Sequence, residues 1–451
     1  MRLLLDFGYL IGLVAGSPWL LYRIAKSGAW RGLASRFGFR LGAPSVGAIW
    51  LHGSSAGEVS LLKPLVAKLE LDRPNVPLIV STYTATGLSA ATKAYPRHRV
   101  VLFPFDFSFV VERFFRHFDP RLVVIVESEY WPNFLLTAQR RGVPVVVLNG
   151  KMSAKSHAAY RRFAPIPRVM QSLRLIAVQS AEHAERLASL GVPADRLRVT
   201  GNMKYDLASP SPNGEDRRVL RQELGYGDDD VVVIGGSLHP GEPEALLDAY
   251  AALGESPKAA LILVPRYPAD AYAVEQAAAA RGYDSVRKTA LDGGAARAPG
   301  RGGVLIVDTV GELGRLYGAA DVAFVGGSLN FRGSNKGGHN LMEPAIRGVP
   351  VLFGPYNFSF KDTVEDLLRQ DAGLLVEDGD ALAAAISSLA ADPVERRRLG
   401  ERGRQVVLKG QGATKRNYDL LLRVLGNDSG RLQAPAFERT MPRASGDLDS
   451  R

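Results

Sequence analysis

The stretch GAIWLHGSSAGEVS (47–60) joins an apolar, strand-like run to a glycine- and serine-rich turn that opens a helix. Such a turn presents backbone N–H groups that favour anions, yet it ends on the carboxylate of Glu58. Ser55 and Glu58 have the spacing of a capping box. Glu58 therefore has two interpretations, a helix cap or a catalytic base that the helix dipole keeps ionised.

Apolar runs of this kind recur along the chain, separated by helix-length segments. This pattern is typical of parallel sheets covered on both faces. We therefore predict two doubly wound domains with their chemistry at the carboxyl ends of the strands, facing a cleft. The first set of runs is 47–53, 76–82, 99–105, 121–127, 143–150, 173–180 and 197–202, and the second is 231–237, 259–266, 303–309, 321–328 and 349–354; a linker rich in Pro, Ser and Gly (207–216) separates them.

The composition limits the classes of molecule that the protein is expected to bind. The chain has 451 residues, a formal net charge of +10 and no cysteine. The charge suggests an anionic partner such as nucleic acid, acidic lipid or a phosphorylated substrate. The basic residues lack interleaved aromatics, which argues against nucleic acid. Without cysteine there are no disulfides and no thiolate metal sites.

The N-terminus is apolar over residues 3–22, apart from Asp6 and a few small polar positions, and a basic segment follows from Arg23 onward. This order predicts a membrane anchor or interfacial helix over residues 1–24, with the rest of the chain on the cytoplasmic side. A buried core helix is the alternative, since Asp6 and Pro18 count against a span.

Charged residues follow several of the predicted strands. In the first half, Glu127 ends one strand in VESEYWPN (126–133), and Lys204 lies just past another in GNMKYD (201–206). Each has an ordinary explanation, as a first-turn acid or a solvated lysine. Because parallel strand ends converge, a site shared with Glu58 is the alternative.

The second half offers groups suited to a nucleotide. Arg266 lies between two prolines in LVPRYP (263–268), a rigid presentation for a phosphate or carboxylate. Gly311 precedes a helix start, and Asn340 to Glu343 closes a glycine-rich loop. Asn340 and Glu343 are either a cap or a ribose-binding pair.

The sequence does not support several other kinds of nucleotide-binding or metal site. The chain has no P-loop motif and no dinucleotide fingerprint, and its seven histidines lack metal-ligand spacing. The D-x-D spacing at 228–230 precedes a strand in a turn and favours a solvated loop. We expect no metal and no cofactor.

Six motifs occur in the order found in one family: LHGSSAGE, ESEYWPN, LNGKMSAKS, GNMKYD, LVPRYP and GGHNLMEPA. The chain resembles the Kdo (3-deoxy-D-manno-octulosonic acid) transferases of lipid A and lipopolysaccharide core biosynthesis, from residue 1 to about residue 425. The resemblance implies a GT-B glycosyltransferase with two Rossmann-like domains. It also implies inverting, metal-independent transfer of Kdo from CMP-Kdo to a lipid A precursor, at the cytoplasmic face of the inner membrane.

The resemblance also implies residue roles. Glu58 corresponds to the general base, and Glu127 and Lys204 to groups that stabilise the transition state. The positions that correspond to CMP-binding segments are Pro265, Arg266, Gly311, Glu312, Leu313, Asn340, Leu341, Met342 and Glu343.

The expected domains are an anchor (1–24), an acceptor domain (25–207), a linker (208–216), a CMP-sugar domain (217–405), a helix crossing back to the first domain (406–425) and a disordered tail (426–451). The chain departs from the family at His339–Glu343, which lacks a proline, and in a longer loop at 330–336. Lys151 and Lys155 also stand where arginines are common. The alternatives are a GT-B transferase or epimerase that uses a UDP-sugar, and a non-catalytic membrane scaffold or lipid-binding protein.

Overall fold

The computed structural model describes residues 2–15, 17, 32–163, 165–208, 217–254, 258–296, 298–300, 302–333 and 337–426. The chain forms two compact units. One holds the described residues up to Asp206 and those from Gln411 onward, and the other is Leu207–Gly410.

The first unit is built on a parallel sheet of seven strands in the order β3-β2-β1-β4-β5-β6-β7. Its strands are β1 (Ile49–His52), β2 (Leu78–Thr82), β3 (Arg99–Leu102), β4 (Leu122–Val126), β5 (Val145–Gly150), β6 (Leu175–Val178) and β7 (Leu197–Val199). Its helices are α1 (Arg2–Ala15), α2 (Leu33–Arg36), α3 (Ala56–Asp72), α4 (Ala85–Ala94), α5 (Ser108–Phe118), α6 (Pro132–Arg140), α7 (Ala154–Arg162), α8 (Pro165–Met170), α9 (Ala181–Ser189) and α19 (Ala413–Gly426).

Trp50, on the central strand β1, anchors one face of this sheet. Its ring lies within 5.1 Å of Phe134 and 5.7 Å of Phe118, centroid to centroid. Its indole N–H donates to Ser81 Oγ at 2.7 Å, so this fully buried ring leaves no unpaired donor. The opposite face packs Leu62 of α3 and Leu421 of α19 against the sheet. Burial on both faces explains the unbroken apolar runs in the sequence.

The second unit repeats the plan with strands in the order β10-β11-β9-β8-β12-β13-β14, all parallel. Its strands are β8 (Val231–Leu238), β9 (Ala259–Pro265), β10 (Ser285–Arg287), β11 (Val304–Ile306), β12 (Val322–Val325), β13 (Val351–Phe353) and β14 (Leu374–Leu375). Its helices are α10 (Arg217–Glu223), α11 (Glu242–Ala251), α12 (Ala271–Ala279), α13 (Lys288–Asp292), α14 (Leu313–Leu316), α15 (Met342–Ile346), α16 (Lys361–Arg369), α17 (Gly379–Ala391) and α18 (Pro393–Gly410). Short 3₁₀ turns lie at Ala194–Arg196 in the first unit and at Met203–Leu207, where the chain passes to the second. Those of the second unit are Pro268–Asp270, Tyr317–Ala319 and Phe358–Phe360.

The predicted strand runs all contain observed strands, which confirms the two doubly wound sheets. Among the strands that the structure describes, those not predicted from the sequence are β10 and β14, the two edge strands of the second sheet. These have three and two residues, and neither contains a fully buried position. An edge strand of this kind lacks the continuous apolar run by which a central strand is recognised.

The N-terminal helix requires a correction. Helix α1 has 14 residues, or about 21 Å at 1.5 Å per residue, against a hydrocarbon core of about 30 Å. The carboxylate of Asp6 accepts hydrogen bonds from the Ser108 N–H at 2.8 Å and from Asn133 Nδ2 at 2.9 Å. Among the residues that the structure describes, no helix has the length and apolar character needed to cross a bilayer. The expected membrane-associated apolar helix is therefore wrong; residues 1, 16 and 18–24 of that prediction lie outside the described residues.

The change from the second unit back to the first falls between α18 and α19. Residues 406–410, expected to begin the returning helix, are instead continuous with α18. Helix α19 is fixed to the first unit by Tyr418, whose hydroxyl donates to Asp72 at 2.7 Å, and by Asn417, which donates to Thr200 Oγ1 at 3.0 Å. Residues 209–216 of the predicted linker and 427–451 of the predicted tail lie outside the described residues.

Candidate active site

Glu58 lies in the first turn of α3, directly beyond β1. Ser55 caps the helix by accepting from the Glu58 N–H at 3.4 Å, while the Glu58 carboxylate accepts from the Ser54 N–H at 2.8 Å and from Ser55 Oγ at 3.1 Å. The predicted N-cap at Ser55 is present, but the Glu58 carboxylate accepts from the N–H of Ser54 and not from that of Ser55, as a regular capping box requires. These bonds fix the carboxylate in place, so a structural role and a chemical one are compatible.

The protonation of Glu58 differs from the prediction that the helix dipole keeps it ionised. Burial, together with the negative charges of Glu127 and Glu129, raises its pKa to about 7, against the opposing hydrogen bond from Ser54. A carboxyl group with a pKa near 7 exchanges protons readily at neutral pH, which is the requirement for a general base.

Glu127 lies immediately after β4 and is buried. Its Oε2 is 2.6 Å from Lys151 Nζ and its Oε1 is 3.3 Å from Lys204 Nζ. Burial alone raises the pKa of Glu127, but Lys204 and Lys151 outweigh burial and lower it. The group is therefore an ionised carboxylate held between two ammonium groups, and the three side chains together carry one positive charge near Glu58.

The backbone around these groups is strained. Glu127 and Asn149, which stand at the ends of neighbouring strands β4 and β5, have φ of 67° and 55°. Asn149 Oδ1 accepts from the Met203 N–H at 2.8 Å, at the start of the 3₁₀ turn that carries Lys204. Non-glycine residues in the left-handed region cluster at functional sites, because the surrounding structure must hold them there.

Glu129 and its aromatic neighbours were not singled out from the sequence, although they lie in the ESEYWPN motif. Glu129 Oε2 accepts from Trp131 Nε1 at 2.7 Å, and burial raises the pKa of its carboxyl group. Trp131 stacks on Tyr83 with the ring centroids 5.5 Å apart and the planes 11° apart. The Arg36 guanidinium lies 4.3 Å from the Tyr83 ring centroid. The unit therefore has an aromatic pair and an additional acid beside the base.

In the second unit, Arg266 directly follows β9, the strand that ends at Pro265. The Arg266 N–H donates to the Leu238 carbonyl at 2.8 Å, which fixes the backbone. Its side chain is exposed, with the guanidinium 5.3 Å from the Tyr267 ring centroid. The structure thus keeps an arginine available to an anion at the end of a strand.

Asn340 and Glu343 occupy the start of α15. Asn340 Oδ1 accepts from the Met342 N–H at 3.1 Å, and Asn340 Nδ2 donates to Glu343 Oε1 at 3.0 Å. Burial raises the pKa of Glu343. Asn340 thus pairs with the first N–H of the helix from the position before the N-cap residue Leu341, and its amide orients the acid.

The other predicted nucleotide positions have different surroundings. Gly311 is exposed with φ 95°, and an added Cβ there would meet no atom within 4 Å. Glu312 pairs with Lys288 at 3.5 Å. Leu313 is half-buried, whereas Leu341 and Met342 are fully buried, so they have only backbone groups to offer a ligand. An added Cβ at Gly314 would lie 4.0 Å from Glu343 Oε2, which places the 311–314 turn beside Glu343.

Glu242 is a further residue that the sequence did not reveal. This carboxylate is 1% exposed. It accepts from the N–H groups of His239 at 2.8 Å, Gly327 at 2.7 Å, Ser328 at 3.0 Å and Leu329 at 3.0 Å. It therefore joins the turn after β8 to the glycine-rich loop after β12. Its only signal in the sequence was its place in the glycine-rich turn GGSLHPGE (235–242).

The structure thus brings Glu58, Glu127 and Lys204 together in the first unit, and adds Lys151 and Glu129 to them. In the second unit it brings the 311–314 turn to Glu343 and places Arg266 at a strand end. The roles of these residues as catalytic and CMP-binding groups remain predictions. Residues 334–336 of the loop at 330–336 lie outside the described residues.

Comparison with solved structures concerns the fold alone. The chain is similar to a UDP-N-acetylglucosamine 2-epimerase (TM-score 0.54, 14% identity, 87% of this chain and 100% of the other). It is equally similar to Acinetobacter baumannii MurG (TM-score 0.54, 13% identity, 84% of this chain and 99% of the other). With the two parallel sheets, these likenesses confirm a GT-B-like fold of two Rossmann-like domains.

Comparison of sequences shows the family. Residues 31–207 match the family model described as 3-deoxy-D-manno-octulosonic-acid transferase (kdotransferase). The 3-deoxy-D-manno-octulosonic acid transferase of Haemophilus influenzae is 33% identical over 398 residues, 86% of this chain and 90% of the relative. That of Bordetella pertussis is 32% identical over 427 residues, 91% of this chain and 94% of the relative. The chain belongs to the Kdo transferase family and is a glycosyltransferase.

Proposed function

We propose that this enzyme transfers Kdo from CMP-Kdo to a lipid A precursor of the lipid IVA type, with inversion at the anomeric carbon and release of CMP. The observation that carries the proposal is Glu58. Its carboxyl group is fixed by Ser54 and Ser55, and its pKa of about 7 lies at the operating pH of a general base.

In the proposed reaction an acceptor hydroxyl attacks the anomeric carbon of Kdo while Glu58 takes up the hydroxyl proton. The new bond joins the acceptor oxygen to that carbon, and the bond between the carbon and the phosphate oxygen breaks with its electron pair leaving on CMP. Displacement from the opposite face inverts the configuration. One base on the acceptor side is sufficient for this reaction.

The charged groups near Glu58 suit anionic substrates. Glu127, Lys151 and Lys204 together carry one positive charge, which complements the fixed negative charge of the Kdo carboxylate or of an acceptor phosphate. In the second unit, Arg266, the exposed turn at Gly311 and the half-buried pair Asn340–Glu343 are the proposed contacts to CMP. In this proposal, these contacts stabilise the leaving phosphate without a metal ion.

The direct test uses purified protein, CMP-Kdo and a tetraacylated lipid A precursor, with mass spectrometry of the lipid. A mass gain of one or more Kdo units is expected, also with EDTA present, and the product reports how many units are added. No gain, in parallel with an active control transferase, would refute the assignment. Tighter calorimetric binding of UDP than of CMP would point instead to a UDP-sugar enzyme.

The proposed place of action is the cytoplasmic face of the inner membrane, where the lipid acceptor is held. The net charge of +10 supports attraction to anionic lipid. Sedimentation with vesicles tests this: we expect binding to vesicles containing anionic phospholipid at low salt and release as salt is raised. Equal behaviour with neutral vesicles would contradict it.

A further inference from the structure

Two histidines of the second unit lie against each other, outside the positions predicted to bind CMP. His239 directly follows β8, and His339 belongs to the glycine-rich loop before α15. Their Nε2 atoms are 3.0 Å apart, with the ring planes 11° apart and the centroids at 5.2 Å. At this distance one ring donates its Nε2–H and the other accepts, so the two imidazoles act as one hydrogen-bonded pair.

The two rings are held in place by the surrounding backbone. Gly327, at φ 70°, lies beneath both rings: an added Cβ there would be 2.8 Å from His339 Cδ2 and 3.2 Å from His239 Cδ2. The His239 N–H is held by Glu242 at 2.8 Å. His239 is 5% exposed, so this is not a solvated surface histidine. The support comes from the ends of β8 and β12, which are neighbours in the sheet.

Two arginines act on both rings of the pair, and two carboxylates act on His239. After burial, the cations of Arg332 and Arg266 lower the pKa of His239, against the opposing effect of Glu242 and Asp270. Burial, His239 and the same two arginines lower the pKa of His339 to about 4.

Of the two nearby acids, Glu242 already accepts four backbone N–H groups. The ring of Tyr267 is nearly perpendicular to that of His239, with the centroids 6.2 Å apart. The pair is thus neutral at pH 7, and the cations of Arg266 and Arg332 act on both of its rings.

We propose that His239 and His339, together with Arg266, form the site that receives the phosphate of the donor nucleotide, and that this site takes up one proton when the phosphate binds. The proposal rests on the proposed function in that the donor is a CMP-sugar. It adds two residues, and a proton, to the contacts described above.

The chemistry follows from the count of N–H groups. A neutral pair has one N–H on each ring, and the Nε2–H···Nε2 bond uses one of them, so a single Nδ1–H is left. One proton taken up at the other Nδ1 keeps that bond and gives the pair a positive charge and two Nδ1–H donors. The charge of the phosphate offsets the effects of burial and of repulsion from Arg266 and Arg332, which together keep the pair neutral in its absence. No covalent bond changes.

The test compares CMP with cytidine by titration calorimetry at pH 7.5, in two buffers of different ionisation enthalpy. Wild-type protein is expected to take up a proton with CMP and none with cytidine. His339→Asn should abolish the uptake and weaken CMP binding about tenfold or more, while cytidine binding is unchanged. His239→Asn serves as the second variant. His157→Asn is the matched control, because His157 is half-buried and bonds the Ser189 hydroxyl in the first unit.

The outcomes separate the two proposals. If wild type binds CMP without proton uptake, or if both variants bind CMP as tightly as wild type, the histidine site is refuted and the CMP donor stands. If wild type binds no CMP at all, the proposed donor is refuted and the histidine site with it. Should one variant fail to fold, the uptake by wild type and the other variant still decide.

Discussion

Glu58→Gln separates the two roles of this residue. The glutamine oxygen still accepts from the Ser54 N–H, and the Ser55 hydroxyl can reverse to accept from the amide, so the helix start is preserved. The base is lost, and we expect kcat to fall by about 10²–10⁴-fold. CMP affinity, measured by calorimetry, should stay within about twofold, because the proposed nucleotide contacts belong to the second unit.

The stability of the same variant should depend on pH in a defined direction. The folded-state pKa of Glu58 is raised to about 7, from an ordinary value of 4.5. Between these two pH values Glu58 is protonated in the folded state and ionised in the unfolded state. The free energy of unfolding of wild type therefore falls as the pH rises from about 4.5 to 7, and this group causes no further fall above pH 7. Integrated over that window, the loss is about 3 kcal/mol. The substituted glutamine does not titrate. The free energy of unfolding of the variant, relative to that of wild type, should therefore rise by this amount between pH 5 and pH 8.

Urea unfolding at pH 5 and pH 8 measures the gain, and the pH profile of kcat/KM for wild type should show an acidic limb near pH 7. Glu182→Gln is the control, since that side chain is 65% exposed and should show no comparable change. A variant that unfolds at both pH values would show that the cap dominates. A wild-type profile without a limb between pH 6 and 8 would refute the role of Glu58 as a base whose pKa is raised by burial.

Three further substitutions test the surroundings. Glu129→Gln keeps an oxygen that accepts from the Trp131 N–H but removes a negative charge that raises the pKa of Glu58. The acidic limb of the kcat/KM profile should therefore move to lower pH. A limb at the same pH as in wild type would contradict this. Lys151→Met leaves Glu127 paired with Lys204. Because Lys151 is 38% exposed, the free energy of unfolding in urea should fall by about 1–2 kcal/mol, well below the value for a fully buried pair. An unchanged free energy of unfolding would mean that Lys204 is sufficient to stabilise the carboxylate. Glu242→Gln turns an amide N–H₂ toward backbone donors and leaves two of them unpaired, so we expect a loss of about 2–5 kcal/mol in urea unfolding and weaker CMP binding; unchanged values would show that the glycine-rich loop is held by other contacts.

Some features of the fold were fixed by local pattern. The runs at 47–53 and 121–127 are unbroken and apolar because β1 and β4 are covered on both faces, and their order along the chain was enough to predict two doubly wound sheets. By contrast β14, two residues at an edge, carries no such pattern. The N-terminal apolar stretch was misjudged for a related reason: hydropathy registers the apolar residues of α1, but not the hydrogen bonds that tie Asp6 to Ser108 and Asn133.

Strand and turn patterns are local, so the order of residues along the chain is enough to show which side chains stand at the ends of parallel strands. This is how Glu58, Glu127 and Lys204 were singled out together. Their chemistry depends on the folded protein. Burial, not the helix dipole, sets the pKa of Glu58, because desolvation depends on atoms brought in from distant parts of the chain. For the same reason the pairing of Lys151 with Glu127, and the contact of His239 with a histidine one hundred positions away, have no signal in sequence spacing.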